Sequence, residues 1–267
     1  PSELTDLQYN LIRSHSTGLG PALGEDYAKC VVLARLNNFL QGNSGVSIQV
    51  IDQLLALLKY NIIPEIPEHG GVGASGDLVQ LAHLGLNLIG EGNVFVNGEK
   101  RRTKEVFAEL NISPLQLQLR DGLGIINGTS CMTGIGAINL IYANRLLDWA
   151  IAASSIINEI TDAFDDSFSE GLNKVKLHQG QSNVANKMRE HLHDSQLIRS
   201  REELYKDNQE FENKQFKNKI QGYYSLRCVP QILGPVADTL AYAQQVIENE
   251  INSTSDNPIV NPEENSV

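Results

Sequence analysis

An apolar, proline-free run from Met132 to about Phe164 constrains the fold of this chain more than any other segment. With no helix breaker inside it, the run reads as one long helix, and Trp149 reads as a core residue within it. The periodicity elsewhere is also helical. Cys30, Leu33, Ala34 and Asn37 fall on one stripe, and Tyr27 and Val31 widen the buried face of a helix ending near Gly42. Ser47 reads as the N-cap of a helix carrying Ile51, Leu54, Leu55 and Leu58, closed by Asn61 and Pro64. Asp77 opens the next helix, where an acidic residue suits the dipole, with Leu78, Leu81, Ala82, Gly85 and Leu88 inward. A further helix runs from Pro235 through Ile251, with proline at its start, and Asp256-Asn257-Pro258 stops it. The clearest strand signal is Val94–Arg101, whose Asn97-Gly98 pair fits a type I′ hairpin. The expectation is an all-α chain with one small β-hairpin.

At 267 residues the chain can bury a substantial core as one domain or two. Its net charge of -11 and lack of a dense basic run disfavour nucleic acid. No segment reads as a membrane span of about 20 apolar residues, and the N-terminus does not read as a signal peptide. Cys30, Cys131 and Cys228 are odd in number, widely spaced and set in apolar runs, which suits reduced thiols, a cytoplasmic location and no metal site. Between His193 and Lys219 the chain is highly charged, and reads as a solvated helix or loop, or as a mobile lid before the next motif.

The chemistry concentrates first in Gly70-Gly71-Val72-Gly73-Ala74-Ser75-Gly76-Asp77-Leu78. A serine between a small residue and a glycine can become an electrophile. The Gly76 amide nitrogen, unhindered by a Cβ, can attack the Ala74 carbonyl, and loss of water leaves a methylidene at the former Ser75 Cβ. The same residues also read as a polar loop feeding a helix. Gly71–Gly76 satisfies the spacing of a dinucleotide site as well, but that site needs a preceding strand and a βαβ unit. Pro64 and Pro67 argue against such a strand, and no lysine follows Gly76 to make a phosphate loop.

A second cluster is Ile126-Asn127-Gly128-Thr129-Ser130-Cys131-Met132, a polar turn entering the long helix. A third is Gln221-Gly222-Tyr223-Tyr224-Ser225-Leu226-Arg227-Cys228-Val229-Pro230-Gln231. Tyrosine can donate or accept a proton, arginine can grip a carboxylate with two parallel bonds, and three residues apart on a helix they share a face. In isolation each cluster is as well explained by capping or by a polar helix surface. In this order, and joined by Asp256-Asn257-Pro258, Arg35-Leu36-Asn37, Gly42-Asn43-Ser44-Gly45-Val46 and His178-Gln179-Gly180-Gln181, they resemble the aromatic amino acid ammonia-lyases and related aminomutases across essentially the whole chain.

That resemblance implies a long-helix bundle of the ammonia-lyase/fumarase type. It implies that Ala74, Ser75 and Gly76 form 4-methylidene-imidazol-5-one (MIO) with no external cofactor. It further implies that Asn127 holds the ring and substrate, Tyr224 works near the transferred proton, and Arg227 binds the substrate carboxylate with Gln221 beside it. The assembly would be a homotetramer with shared active sites, acting on a small aromatic amino acid. Ser14-His15 matches the pair linked to substrate choice and resembles histidine lyases, whereas Gln80 and Gly222-Tyr223 depart from their usual pattern, and the reading leans to tyrosine.

The family's upstream segment with a catalytic tyrosine and its C-terminal half are expected to be missing. Residues 1–130 would form the MIO-loop region, and 131–267 the first part of the helical bundle. Three functions follow: an ammonia-lyase giving coumarate or urocanate, a 2,3-aminomutase, or a catalytically incompetent fragment or structural subunit.

Overall fold

The computed structural model describes residues 2–72, 75–201 and 221–261. Much of the charged stretch before Gln221, and with it the lid expectation, lies outside the described residues, as does Ala74. Contacts divide the chain into two compact units, Pro1–Asn139 with Val246–Val267 and Leu140–Gln245, and the division falls within two long helices.

The first unit is built from helices α1 (Ser2–His15), α2 (Glu25–Leu40), α3 (Ile48–Lys59), α4 (Leu78–Leu88), α5 (Thr103–Glu109) and α6 (Asp121–Ile126), and from the start of α7 (Ser130–Ile160). Its core collects Ile12, Val31, Leu36, Leu54, Leu57, Leu81, Leu84, Leu88 and Ile125, all essentially inaccessible to solvent. Each such side chain contributes about 1.5–3 kcal/mol on burial. α1, α4 and α6 pack together, and α2 packs on α3.

Two small antiparallel sheets complete this unit. β1 (Leu19–Ala22) pairs with β3 (Pro67–His69), and a second sheet has the order β2 (Ile63–Pro64), β4 (Asn93–Val96), β5 (Glu99–Arg102). The expected hairpin is present between β4 and β5, with Asn97 at φ 52° and Gly98 at φ 81°, the positive values that a type I′ turn demands. Pro64 lies in an edge strand, where its missing N–H is tolerated.

The second unit holds the rest of α7, a 3₁₀ turn (Asp165–Phe168), α8 (Glu170–Asn173), α9 (Gln179–Leu192), the short helix Tyr224–Arg227 and most of the helix Val229–Ile251. Ile151, Phe168, Val184, Met188, Leu192 and Val229 form its core.

Several local expectations are corrected. α2 buries Ala28, Val31, Val32, Ala34, Arg35, Leu36, Asn38 and Phe39, so Val31 and Ala34 are inward as expected whereas Leu33 is exposed. Trp149 is 74% exposed, alongside exposed Leu146, Ile156 and Ile160 on the same helix, so it is not core within this chain. The last long helix begins at Val229, with Pro235 inside it. Ser47 does not cap α3 with its side chain. Its amide and hydroxyl both donate to the buried Asp121 carboxylate, each at 2.8 Å. By length and composition alone the helical run 121–160 would suffice to cross a membrane, contrary to the reading that no segment approaches one, although 44% of its most apolar window is buried inside the structure.

Candidate active site

The loop entering α4 is bent into the left-handed region at two successive residues, Ser75 (φ 59°) and Gly76 (φ 75°). A side chain at Gly76 would overlap the Gly128 carbonyl, so this position requires glycine. The close approach ties the Ser75 loop to the turn that carries Asn127. Asp77 completes the junction: its amide donates to Gly128 O at 2.9 Å. Its carboxylate accepts from the Met132 amide at 2.8 Å. Asp77 is therefore an anion at the N-terminus of α7, not a side-chain cap of α4. Burial raises the Asp77 carboxyl above its ordinary pKa, while the Met132 and Cys131 amides and the Arg35 charge oppose the rise. The same burial pushes the Cys131 thiol up to about 12, which rules out a thiolate there at neutral pH.

On the other side of the Asn127 turn sits Arg35, wholly buried. Its guanidinium donates to the Asn127 carbonyl at 2.5 Å, to the Gly124 carbonyl and to Asp256 at 2.7 Å, and lies 4.3 Å from the Phe39 ring centroid. Two of those acceptors are orphan carbonyls at the C-terminal end of α6, where a cation complements the dipole. Asp256 also accepts from Ser44 Oγ, and Asn38 Nδ2 donates to Ser253 O at 3.0 Å. Burial lowers the Arg35 pKa, and the Asp256 carboxylate pulls it back up. The Asn127 amide itself donates to Asn257 O at 3.1 Å. The turn is thus clamped by a cation at the end of one helix and an anion at the start of the next.

Ser14 and His15 close α1. His15 Nδ1 meets Leu11 O at 2.8 Å, and Ser14 Oγ donates to the same carbonyl at 3.0 Å. The chain then runs into β1, whose Leu19 pairs with His69, so the segment after His15 lies beside the one that leads to Ser75. His83 supports that junction by accepting from the Gly18 amide at 3.1 Å.

In the second unit, Tyr224 and Arg227 share one face of a single helical turn, with the guanidinium carbon 4.5 Å from the ring centroid. Arg227 donates to Gly222 O at 3.2 Å and to Gln221 Oε1 at 3.4 Å. Tyr224 is 72% exposed, and Arg227, Gln221 and Asn158 line a cleft of about 150 Å³. Of the three clusters read from the sequence, those of Ser75 and Asn127 meet in the first unit, and that of Gln221, Tyr224 and Arg227 is assembled within the second. Arg35, Asp77, Gly128 and Asp256 lie in the motifs read from the sequence, but no individual role follows for them from the sequence alone. The signal was present in the Arg35-Leu36-Asn37 and Asp256-Asn257-Pro258 triplets, which carried no role until their meeting was visible.

Among the described residues no cluster of three or more His, Cys, Asp or Glu could hold a metal. The family model for aromatic amino acid lyases matches residues 1–267. A probable histidine ammonia-lyase from Thermoplasma volcanium is 39% identical over 262 residues, 98% of this chain and 50% of that protein. A tyrosine 2,3-aminomutase from Myxococcus sp. (strain Mx-B0) is 38% identical over 265 residues, 97% of this chain and 50% of that protein. The crystal structure of a tyrosine aminomutase from Streptomyces globisporus superposes with a TM-score of 0.91 at 36% identity, covering 97% of this chain and 50% of that one. The chain spans about half the length of the curated relatives it matches. A match along every residue, through all three clusters and the segments that hold them, means that the chain belongs to the aromatic amino acid lyase family.

Proposed function

We propose that the intact protein eliminates ammonia from an aromatic L-amino acid, L-tyrosine first and L-histidine second, as a homotetramer with shared active sites. The observation that carries this reading is the left-handed backbone at Ser75 and Gly76, pressed against Gly128 beside Asn127, in a chain of this family. The residues fit MIO: the glycine amide is free of a Cβ, and the loop is held where two residues already bend sharply. Formed from Ala74, Ser75 and Gly76, that group supplies the electrophile that makes the amino group a competent leaving group.

The chain's own side chains would do the rest. Arg227 grips the substrate carboxylate with its planar fork, and Gln221 Oε1 fixes the orientation of that fork. Holding the carboxylate presents the β-carbon to a base, an entropic contribution. Tyr224, stacked against Arg227, works near the β-proton that is lost as the carbon–nitrogen bond breaks, and ammonia and an α,β-unsaturated acid leave. Asn127 holds the substrate beside Ser75. With Nδ1 of His15 committed as donor to Leu11 O, Nε2 of the neutral ring is an acceptor, which suits a phenol O–H or an imidazole N–H and not a bare phenyl ring. The exposed Trp149, Leu146 and Ile160 suit burial against neighbouring copies.

The aminomutase reading is favoured by the tyrosine 2,3-aminomutase among the relatives at 38% identity. It differs in returning ammonia to the β-carbon. An intact mass of the denatured protein, followed by incubation with L-tyrosine and L-histidine, separates the readings. A deficit of two water molecules with an unsaturated acid as product supports the lyase. The same deficit with a β-amino acid supports the aminomutase. An unmodified mass without turnover refutes both and leaves a structural subunit.

A further inference from the structure

We propose that the buried Arg35–Asp256 ion pair is the positioning element for Asn127; its catalytic meaning rests on the lyase reading, its geometry does not. Arg35 sits in α2 and Asp256 lies 221 positions further along the chain, yet both converge on one residue. Arg35 Nη2 donates to the Asn127 carbonyl at 2.5 Å and to Asp256 Oδ1 at 2.7 Å. Asn257, the neighbour of Asp256, accepts from the Asn127 side-chain amide at 3.1 Å. The same strand of chain therefore holds Asn127 twice, once through the backbone by way of Arg35 and once directly through the amide.

The guanidinium has no freedom to hold Asn127 in any other place. It is wholly buried, it stacks on Phe39, and its second nitrogen, Nη1, is bonded to Asn38 Oδ1 at 3.1 Å. Among the described residues its buried Nε has no hydrogen-bond partner. A desolvated guanidinium that leaves one donor unsatisfied is oriented by its far end, where Asp256 and the two carbonyls lie. Gly128, at φ 145°, leaves the room that Arg35 Nη1 occupies. Ser44 Oγ supports the remaining Asp256 oxygen. Among the described residues neither Arg35 nor Asp256 hydrogen-bonds Ser75 or Gly76, so the pair acts through Asn127.

The test compares Asp256→Asn, Ser44→Ala, Asn127→Ala and the Asp256→Asn/Asn127→Ala double variant in the intact protein. The readouts are kcat and KM, the intact mass, and amide hydrogen exchange over residues 124–132. Asp256→Asn is expected to keep the two-water deficit and to lose kcat by about 10- to 100-fold with KM changed less. The double variant should lose no more than Asn127→Ala alone, within about twofold, because both act on one group. Exchange over 124–132 should accelerate by about tenfold or more in Asp256→Asn. Losses that multiply in the double variant, or exchange at the native rate, would overturn the assignment. If Asp256→Asn does not fold, Ser44→Ala removes one support of the same carboxylate and should give the same pattern at smaller amplitude; native kcat and native exchange in that variant overturn it. If the unaltered protein shows neither the mass deficit nor turnover, the lyase reading fails by itself. Exchange in the same variants then still decides whether the ion pair holds the turn.

Discussion

Gly128→Ala is the most informative single substitution. At φ 145° the backbone occupies a region that L-residues rarely adopt, which costs about 1–3 kcal/mol. A methyl group there would also overlap Arg35 Nη1, with Ser255 Oγ at 3.1 Å and Arg35 Cζ at 3.3 Å. Arg35 cannot step aside, because its nitrogens are held by Asp256, Asn38 and two carbonyls. Overpacking a rigid, buried site adds about 1–3 kcal/mol. The total of about 2–6 kcal/mol corresponds to a Tm lower by about 5–20 °C for units of this size. Gly98→Ala is the control: its φ is 81°, but nothing lies within 4 Å of the added carbon. It carries the backbone cost alone, so urea unfolding followed by circular dichroism should place Gly128→Ala about 1–3 kcal/mol below it. Equal stability of the two variants would mean that the guanidinium is not fixed against the turn, and the account of the clamp would fail.

Two further outcomes follow from other parts of the molecule. Burial holds the His83 pKa below its ordinary 6.5, with Glu65 opposing, and its Nε2 accepts from Gly18 only while uncharged. Above that value both folded and unfolded forms are neutral and His83 adds no pH dependence. As pH falls through about 6.5 the unfolded chain takes up the proton first, so stability is lost on acidification. Between about pH 7.5 and 5.5 the Tm should fall further in the native protein than in His83→Gln, and parallel profiles would contradict this. Arg227→Lys keeps the charge but not the fork, and losing one charge-assisted bond should raise KM by about 10- to 100-fold with a smaller change in kcat. Steady-state kinetics with an unchanged KM would remove Arg227 from carboxylate binding.

Local signals made the helical architecture readable. Leu81, Ala82, Gly85 and Leu88 repeat at the helix period and are buried as expected, and Asn97-Gly98 turns the hairpin because its two positive φ values select those residues. What escaped was cross-chain. Arg35 looks solvent-bound to any pattern rule, yet it is buried because Asp256 and the α6 carbonyls neutralise and bond it. Leu33, two residues before it on α2, is exposed instead. Ser47 and Asp77 carry the right residue types for capping their own helices, but each is used by another segment. Trp149 has a core residue's chemistry, but periodicity cannot tell whether this chain itself covers the face on which it sits, and it does not. Pro235 resembles a helix start because proline is favoured there, whereas the helix simply carries it inside. The Ser75, Asn127 and Arg227 clusters were legible because each is a short contiguous motif.

The Arg35–Asp256 contact also sets the order in which the protein can be finished. It closes a loop of 221 residues, and the first compact unit is completed only when the segment from Val246 onward returns to it. Contacts of such separation carry a loop-closure cost that must be met before they contribute anything. During synthesis Ser75 and Asn127 emerge long before Asp256 exists to brace them. The Asn127 turn is therefore expected to be among the last features of its unit to become fixed, its bracing waiting on a late, long-range closure while the local helices around it form early.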